Sequence, residues 1–148
     1  MKKILIILIV LLNNLNIWAQ TDSIIESKTR IGLTDSDLQK AIDLYIKMMQ
    51  TETYKANRIA TNKIIAKLDQ KVIPKEIMND IEWEKWITRN IKKTKFINAT
   101  EANKLRNLNI ALTKKQFDEN IELYEMIKKA TVEQGLEILK PERAIRPF

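Results

Sequence analysis

Neither cysteine nor histidine occurs anywhere in this 148-residue chain. The first absence removes disulfides, thiolate nucleophiles and thiolate metal ligands. The second removes the usual general base and the commonest metal ligand. Glycine occurs only twice, so no glycine-rich loop exists to cradle a phosphate. No segment alternates strictly between apolar and polar residues, and strands and hairpins are not expected. The only serines are Ser23, Ser27 and Ser36, at or before the first expected helix start. A carboxylate-only enzyme remains possible in principle. Asp118, Glu122 and Glu125 share one helical ridge, but such ridges are usually solvated faces, here with Glu125 paired to Lys129. The expectation is a protein that is not an enzyme and uses no cofactor and no metal.

What is present begins with a leader. Lys2 and Lys3 precede the unbroken apolar run Ile4 to Leu12, Asn13, Asn14 and Asn16 interrupt it, and Ala19 supplies a small residue. That layout predicts a secretory signal peptide over 1–19. The run is far short of the ~20 residues of a membrane-spanning helix, so no stable membrane insertion is expected after cleavage. Ile17 is bulkier than the cleavage site prefers. No cysteine is available for a lipid anchor. Without the leader the chain has 129 residues and a charge of +5. It is expected to be periplasmic or secreted, held by packing alone, and to favour acidic partners. Nucleic acid is not expected, because an exported protein rarely meets any.

Apolar spacing predicts an all-α fold of four or five helices, one much longer than the others, arranged as a helical hairpin or cradle-like bundle. Residues 20–33 are read as a flexible arm, 34–140 as one helical domain and 141–148 as a loose tail. The long helix starts at Thr34 and carries Leu38, Ile42, Tyr45 and Met49, then Ala56, Ala60, Ile64 and Leu68, on one face as far as Lys71. The face is thin between Met49 and Ile64, where a bend or a close neighbouring helix is expected, and Glu52 there is either a buried acid or, as is commoner, partly exposed beside the packing face. A second helix over 74–97 has Pro74 in its first turn. It carries an aliphatic stripe (Ile77, Ile81, Ile87, Ile91), an aromatic stripe with Trp83 and Trp86, and a basic strip of Lys85, Arg89 and Lys92. A shorter segment with Leu105, Leu108 and Leu112 follows. A new helix at Thr113 would then bury Phe117, Ile121 and Tyr124. Thr131 and Gln134 form a capping box for a last short helix.

Two helix starts look alike. Leu112, Thr113, Gln116 and Phe117 suit the roles of N′, N-cap, N3 and N4, a capping box inside a hydrophobic staple. Leu33, Thr34, Asp37 and Leu38 hold the same roles 79 positions earlier, and Ile31, Ile42, Leu44 and Tyr45 also recur as Ile110, Ile121, Leu123 and Tyr124. The bland reading is two ordinary caps in an Ile-, Lys- and Asn-rich chain. The other is that Leu33-Thr34-Asp35-Ser36-Asp37 and Leu112-Thr113-Lys114-Lys115-Gln116 are Leu-Thr-x-x-Gln motifs. Two of these in an exported, basic, cysteine-free helical chain resemble the Spy/CpxP family of periplasmic proteins. The resemblance covers about ten motif residues plus the layout. Asp37 departs from the motif while keeping the cap, and the family's His- and Cys-bearing metal sensors are a poor match. The resemblance implies a thin, curved helical homodimer acting as an ATP-independent chaperone or envelope-stress modulator. Its partners would be unfolded clients. Lys85, Arg89 and Lys92 beside Trp83, Trp86 and Met48 would supply the binding surface, unless both tryptophans are core. The alternative is a structural or regulatory subunit docking on one fixed envelope protein.

Overall fold

A computed structural model of the chain describes residues 31–69 and 72–145, the last three by backbone alone. The expected leader, the arm as far as Arg30, and residues 146–148 of the tail lie outside them. The described residues form seven α-helices, α1 Asp35–Gln50, α2 Glu52–Lys67, α3 Asp80–Asn90, α4 Ala99–Glu119, α5 Ile121–Lys129, α6 Val132–Ile138 and α7 Lys140–Ile145. Two 3-10 turns, Lys75–Met78 and Ile91–Lys93, flank α3. The class is all-α. None of these helices is long and apolar enough to cross a membrane.

Thr34 caps α1: its hydroxyl oxygen accepts from the Asp37 N–H at 3.2 Å and its hydroxyl donates to Asp37 Oδ2 at 2.9 Å. Asp35 and Asp37 add negative charge to the positive helix start. The long helix expected from Thr34 to Lys71 is two helices of 16 residues each. The break is Thr51, in extended backbone. Its hydroxyl donates to the Met48 carbonyl at 2.7 Å and accepts from the Tyr54 N–H at 3.2 Å, closing one helix and opening the next. Thr does this readily because its side chain competes with the helical ladder.

The longest helix is instead α4, 21 residues, and it runs straight through Thr113. Leu112, Thr113 and Gln116 therefore do not form a helix start. The reason is the composition of the buried stripe. Ala102, Arg106, Asn109, Thr113 and Gln116 recur at spacings of four and three, and all are buried. The leucines lie off that stripe, Leu108 being half exposed. A phase change read from the leucines alone was no boundary. Mid-helix, the Thr113 hydroxyl donates to Asn57 Oδ1 at 3.3 Å, and Gln116 Nε2 donates to the Tyr124 hydroxyl at 3.0 Å.

The described chain divides into two compact units. The first comprises 56–69 and 72–114. Its apolar core joins Ile64, Leu68, Ile77, Trp83, Ile87, Phe96 and Ala102. Beside it, Asn109 Nδ2 donates to Asn57 Oδ1 at 3.0 Å and Thr61 Oγ1 at 2.8 Å, forming a buried polar seam between α2 and α4.

The second unit comprises 31–55 and 115–145, with α1 packed on α5 and α6. Ala41, Tyr45, Met48, Leu123, Tyr124 and Ile138 fill its interior. Tyr124 is buried as expected, but Ile121, also expected inside, is half exposed, and Leu123 is buried in its place. The end of the expected flexible arm is tied down. The Gly32 N–H donates to the Lys129 carbonyl at 3.1 Å, and Gln134 binds both the N–H and the carbonyl of Leu33, each at 2.8 Å. Gly32 has φ +81°, which a side chain resists. The same Gln134 completes the capping box with Thr131. The tail is also held. Pro141 lies in the first turn of α7, where its missing N–H costs nothing. Buried Glu142 accepts from the Tyr45 hydroxyl at 2.5 Å.

Candidate functional site

Helix α3 is capped by Asn79, five residues later than Pro74: Asn79 Oδ1 accepts from the N–H groups of Ile81 at 3.0 Å and Glu82 at 3.2 Å. Pro74 opens only the preceding 3-10 turn. With this phase Trp83 and Ile87 point inward and Lys85 and Arg89 outward. Trp83 is 1% exposed. Its indole N–H donates to Asn103 Oδ1 at 2.7 Å, and its ring stacks on Trp86 at 5.3 Å. The Arg106 guanidinium lies 5.9 Å from the Trp83 ring. Arg106, itself buried, donates from Nε to the Ile77 carbonyl at 2.5 Å and pairs with Asp80 at 2.7 Å. Trp83 is thus a core residue and offers no client contact. Trp86 is half-buried and keeps an edge at the surface.

Met48 is also removed from the expected surface. It is 0% exposed in the second unit, where its sulfur accepts from Gln116 Nε2 at 3.5 Å and from the Tyr124 hydroxyl at 3.7 Å. Burial raises Tyr124 to about 12, against the pull of its bond from Gln116. Burial, then the neighbouring Glu142, raises Tyr45 well above the usual phenol range. The expected acidic ridge does not stand free either. Glu122 pairs with Lys40 at 2.5 Å, and Glu125 pairs with Lys128 rather than Lys129. Glu52 is exposed and pairs with Lys55 at 2.7 Å.

The basic strip survives and grows. Lys85, Arg89 and Lys92 are all exposed, but only Lys85 and Arg89 lie on α3. The helix stops at Asn90, Lys92 sits on the second 3-10 turn, and Lys93 and Lys95 follow, both exposed. Residues 85–95 therefore hold five cations and no acid. Among the described residues only Lys85 of these five has an ion pair, with Glu82 at 3.4 Å.

The connector from the 3-10 turn to α4 is held along its length. The Thr94 hydroxyl donates to the Ile91 carbonyl at 2.8 Å, the Lys95 N–H to the Lys67 carbonyl at 2.7 Å, and the Ile97 N–H to Glu101 at 2.6 Å. Phe96 turns into the core, while Ile97 is left 82% exposed. The Lys67 ammonium, followed by the Ile97 N–H, holds the Glu101 carboxyl below the usual carboxylate range.

Charge is also divided along the chain. Residues 56–114 carry thirteen Lys and Arg against six Asp and Glu, a balance of +7. Segments 24–55 and 115–148 carry eleven against twelve, a balance of −1. The first unit is thus the strongly basic one. Comparison with known protein families, with curated proteins and with solved structures finds no match.

Proposed function

We propose that this is an exported helical binding protein that captures partly unfolded protein chains, in the manner of an ATP-independent periplasmic chaperone or envelope-stress modulator of the Spy/CpxP kind. One observation carries the reading. Lys85, Arg89 and Lys92 are exposed within an acid-free run of five cations, beside the half-buried edge of Trp86. Positive charge draws acidic segments in from a distance, and apolar contact then holds them. The pull is screened beyond about 8 Å at physiological ionic strength, so capture weakens as salt rises. The cradle-like arrangement and the homodimer implied by the resemblance belong to the same proposal, as does the periplasmic location.

The test is light scattering of several unrelated aggregating proteins, with and without this one. Delay of aggregation for most of them at low salt, and less delay at high salt, is the expected result. If none is delayed, the chain is instead a subunit that docks on one fixed envelope protein.

A further inference from the structure

We propose that the 85–97 surface also docks this protein, peripherally, on a bilayer of anionic phospholipid. The proposal does not depend on client capture. It rests on how the connector after α3 is built. Of the large apolar side chains described in residues 56–114, Ile97 is the most exposed. Here the backbone leading to Ile97 is fixed: the Lys95 N–H is bound by the Lys67 carbonyl and the Ile97 N–H by Glu101. Phe96 is anchored in the core between them, and Ile97 is presented at 82% exposure. Lys92, Lys93 and Lys95 precede it within five residues, all exposed, with Arg89 three residues before Lys92.

An aliphatic tip among lysines matches the boundary between headgroups and acyl chains. The ammonium groups reach phosphates while their methylene stems lie along apolar surface. Juxtamembrane basic clusters gain from the negative surface potential of such membranes. The acid nearest this loop in sequence does not oppose it, because Glu101 is neutralised by Lys67 at 2.7 Å and turned onto the Ile97 N–H. Charge complementarity extends beyond the loop, since residues 56–114 carry +7.

Single-stranded nucleic acid is the other polyanion to weigh. Its sites stack bases on exposed aromatic rings. Here Phe96 and Trp83 are buried and Trp86 is half-buried and stacked on Trp83. The arrangement favours lipid.

The absence of cysteine allows a local readout. A polarity-sensitive dye is placed on the thiol of an Ile97→Cys variant of the full chain, and the same dye on an Ile121→Cys variant, half exposed in the second unit, is the reference. Vesicles of phosphatidylglycerol mixed with phosphatidylcholine, vesicles of phosphatidylcholine alone, and a single-stranded oligonucleotide are added in turn. The expected result is a blue shift at position 97 with the anionic vesicles only, lost at high salt, and none at position 121. Lys92→Gln, Lys93→Gln and Lys95→Gln, each added to the Ile97→Cys protein, should weaken the vesicle response about fivefold per charge.

Three results overturn the proposal: no shift at position 97, an equal shift with neutral vesicles, or an equal shift at position 121, which marks adsorption through another part of the chain. A response to the oligonucleotide but not to vesicles reassigns the surface to nucleic acid. Aggregation assays on the same proteins report separately on client capture, so either reading can fail alone.

Discussion

Replacing Asn109 with alanine tests the least expected part of this fold, the polar seam between α2 and α4. Asn109 is 2% exposed, and both hydrogens of its amide are used, one on Asn57 Oδ1 at 3.0 Å and one on Thr61 Oγ1 at 2.8 Å. Truncation removes both bonds, each worth about 1 kcal/mol net. It leaves the Asn57 carbonyl to the longer bond from Thr113 at 3.3 Å and opens a small polar cavity. Together these predict a loss of about 3 kcal/mol, a large share of the 5–15 kcal/mol typical of a domain. Asn57→Ala should cost a similar amount. Because the two residues share a bond, the double variant should cost about 1–2 kcal/mol less than the sum. Urea unfolding of the four proteins measures this. A loss under ~0.5 kcal/mol for Asn109→Ala, or additivity within ~0.3 kcal/mol, would refute the seam as described.

Thr34→Ala should cost about 1 kcal/mol by urea unfolding, as the loss of a working cap does. Thr113→Asp separates the two Leu-Thr sites: an N-cap tolerates aspartate, whereas a mid-helix position 2% exposed does not, so a loss of ~3 kcal/mol or more is expected. For Tyr124 the folded value is raised to about 12 from 10.0, so its stabilisation is complete below pH 10 and is lost as pH rises toward 12. The unfolding free energy from denaturant titrations should fall across that window by at most ~1.4 kcal/mol per pH unit from this group. Tyr124→Phe should flatten the fall in part, leaving the contribution of Tyr45, which has the same sign.

Two of the three expected capping pairs, whose partners lie three residues apart, are legible in the sequence. Thr34 with Asp37 and Thr131 with Gln134 are local devices, and both are where their spacing puts them. The buried stripe of α4 was not legible, because Arg106, Asn109, Thr113 and Gln116 are residues that a hydrophobicity pattern assigns to solvent. Their burial is made tolerable by groups far away in the chain, Asn57 for Asn109 and Thr113, the Ile77 carbonyl for Arg106 and the Tyr124 hydroxyl for Gln116. The same holds for the tryptophans. Spacing puts Trp83 and Trp86 on one stripe, and Asn103 together with Arg106, both on α4, decides which of the two is enclosed. A continuous α-helix to Ile97 leaves Lys93 and Lys95 off the basic strip; the helix ends at Asn90, Lys93 closes the 3-10 turn and Lys95 lies in the connector beyond it, both exposed.

Affinity for an unfolded polypeptide as a function of salt tests the proposed capture surface most directly. The probe is a fluorescently labelled, permanently unfolded acidic protein, its anisotropy read against the parent and against the variant with Lys85→Glu, Arg89→Glu and Lys92→Glu. The parent is expected to bind more weakly as salt rises. The variant should bind at least about tenfold more weakly at low salt, with a flatter salt dependence, while its urea midpoint stays unchanged because these charges are exposed. Equal affinity and equal salt dependence in the two proteins would contradict the account and place the capture surface elsewhere on the chain.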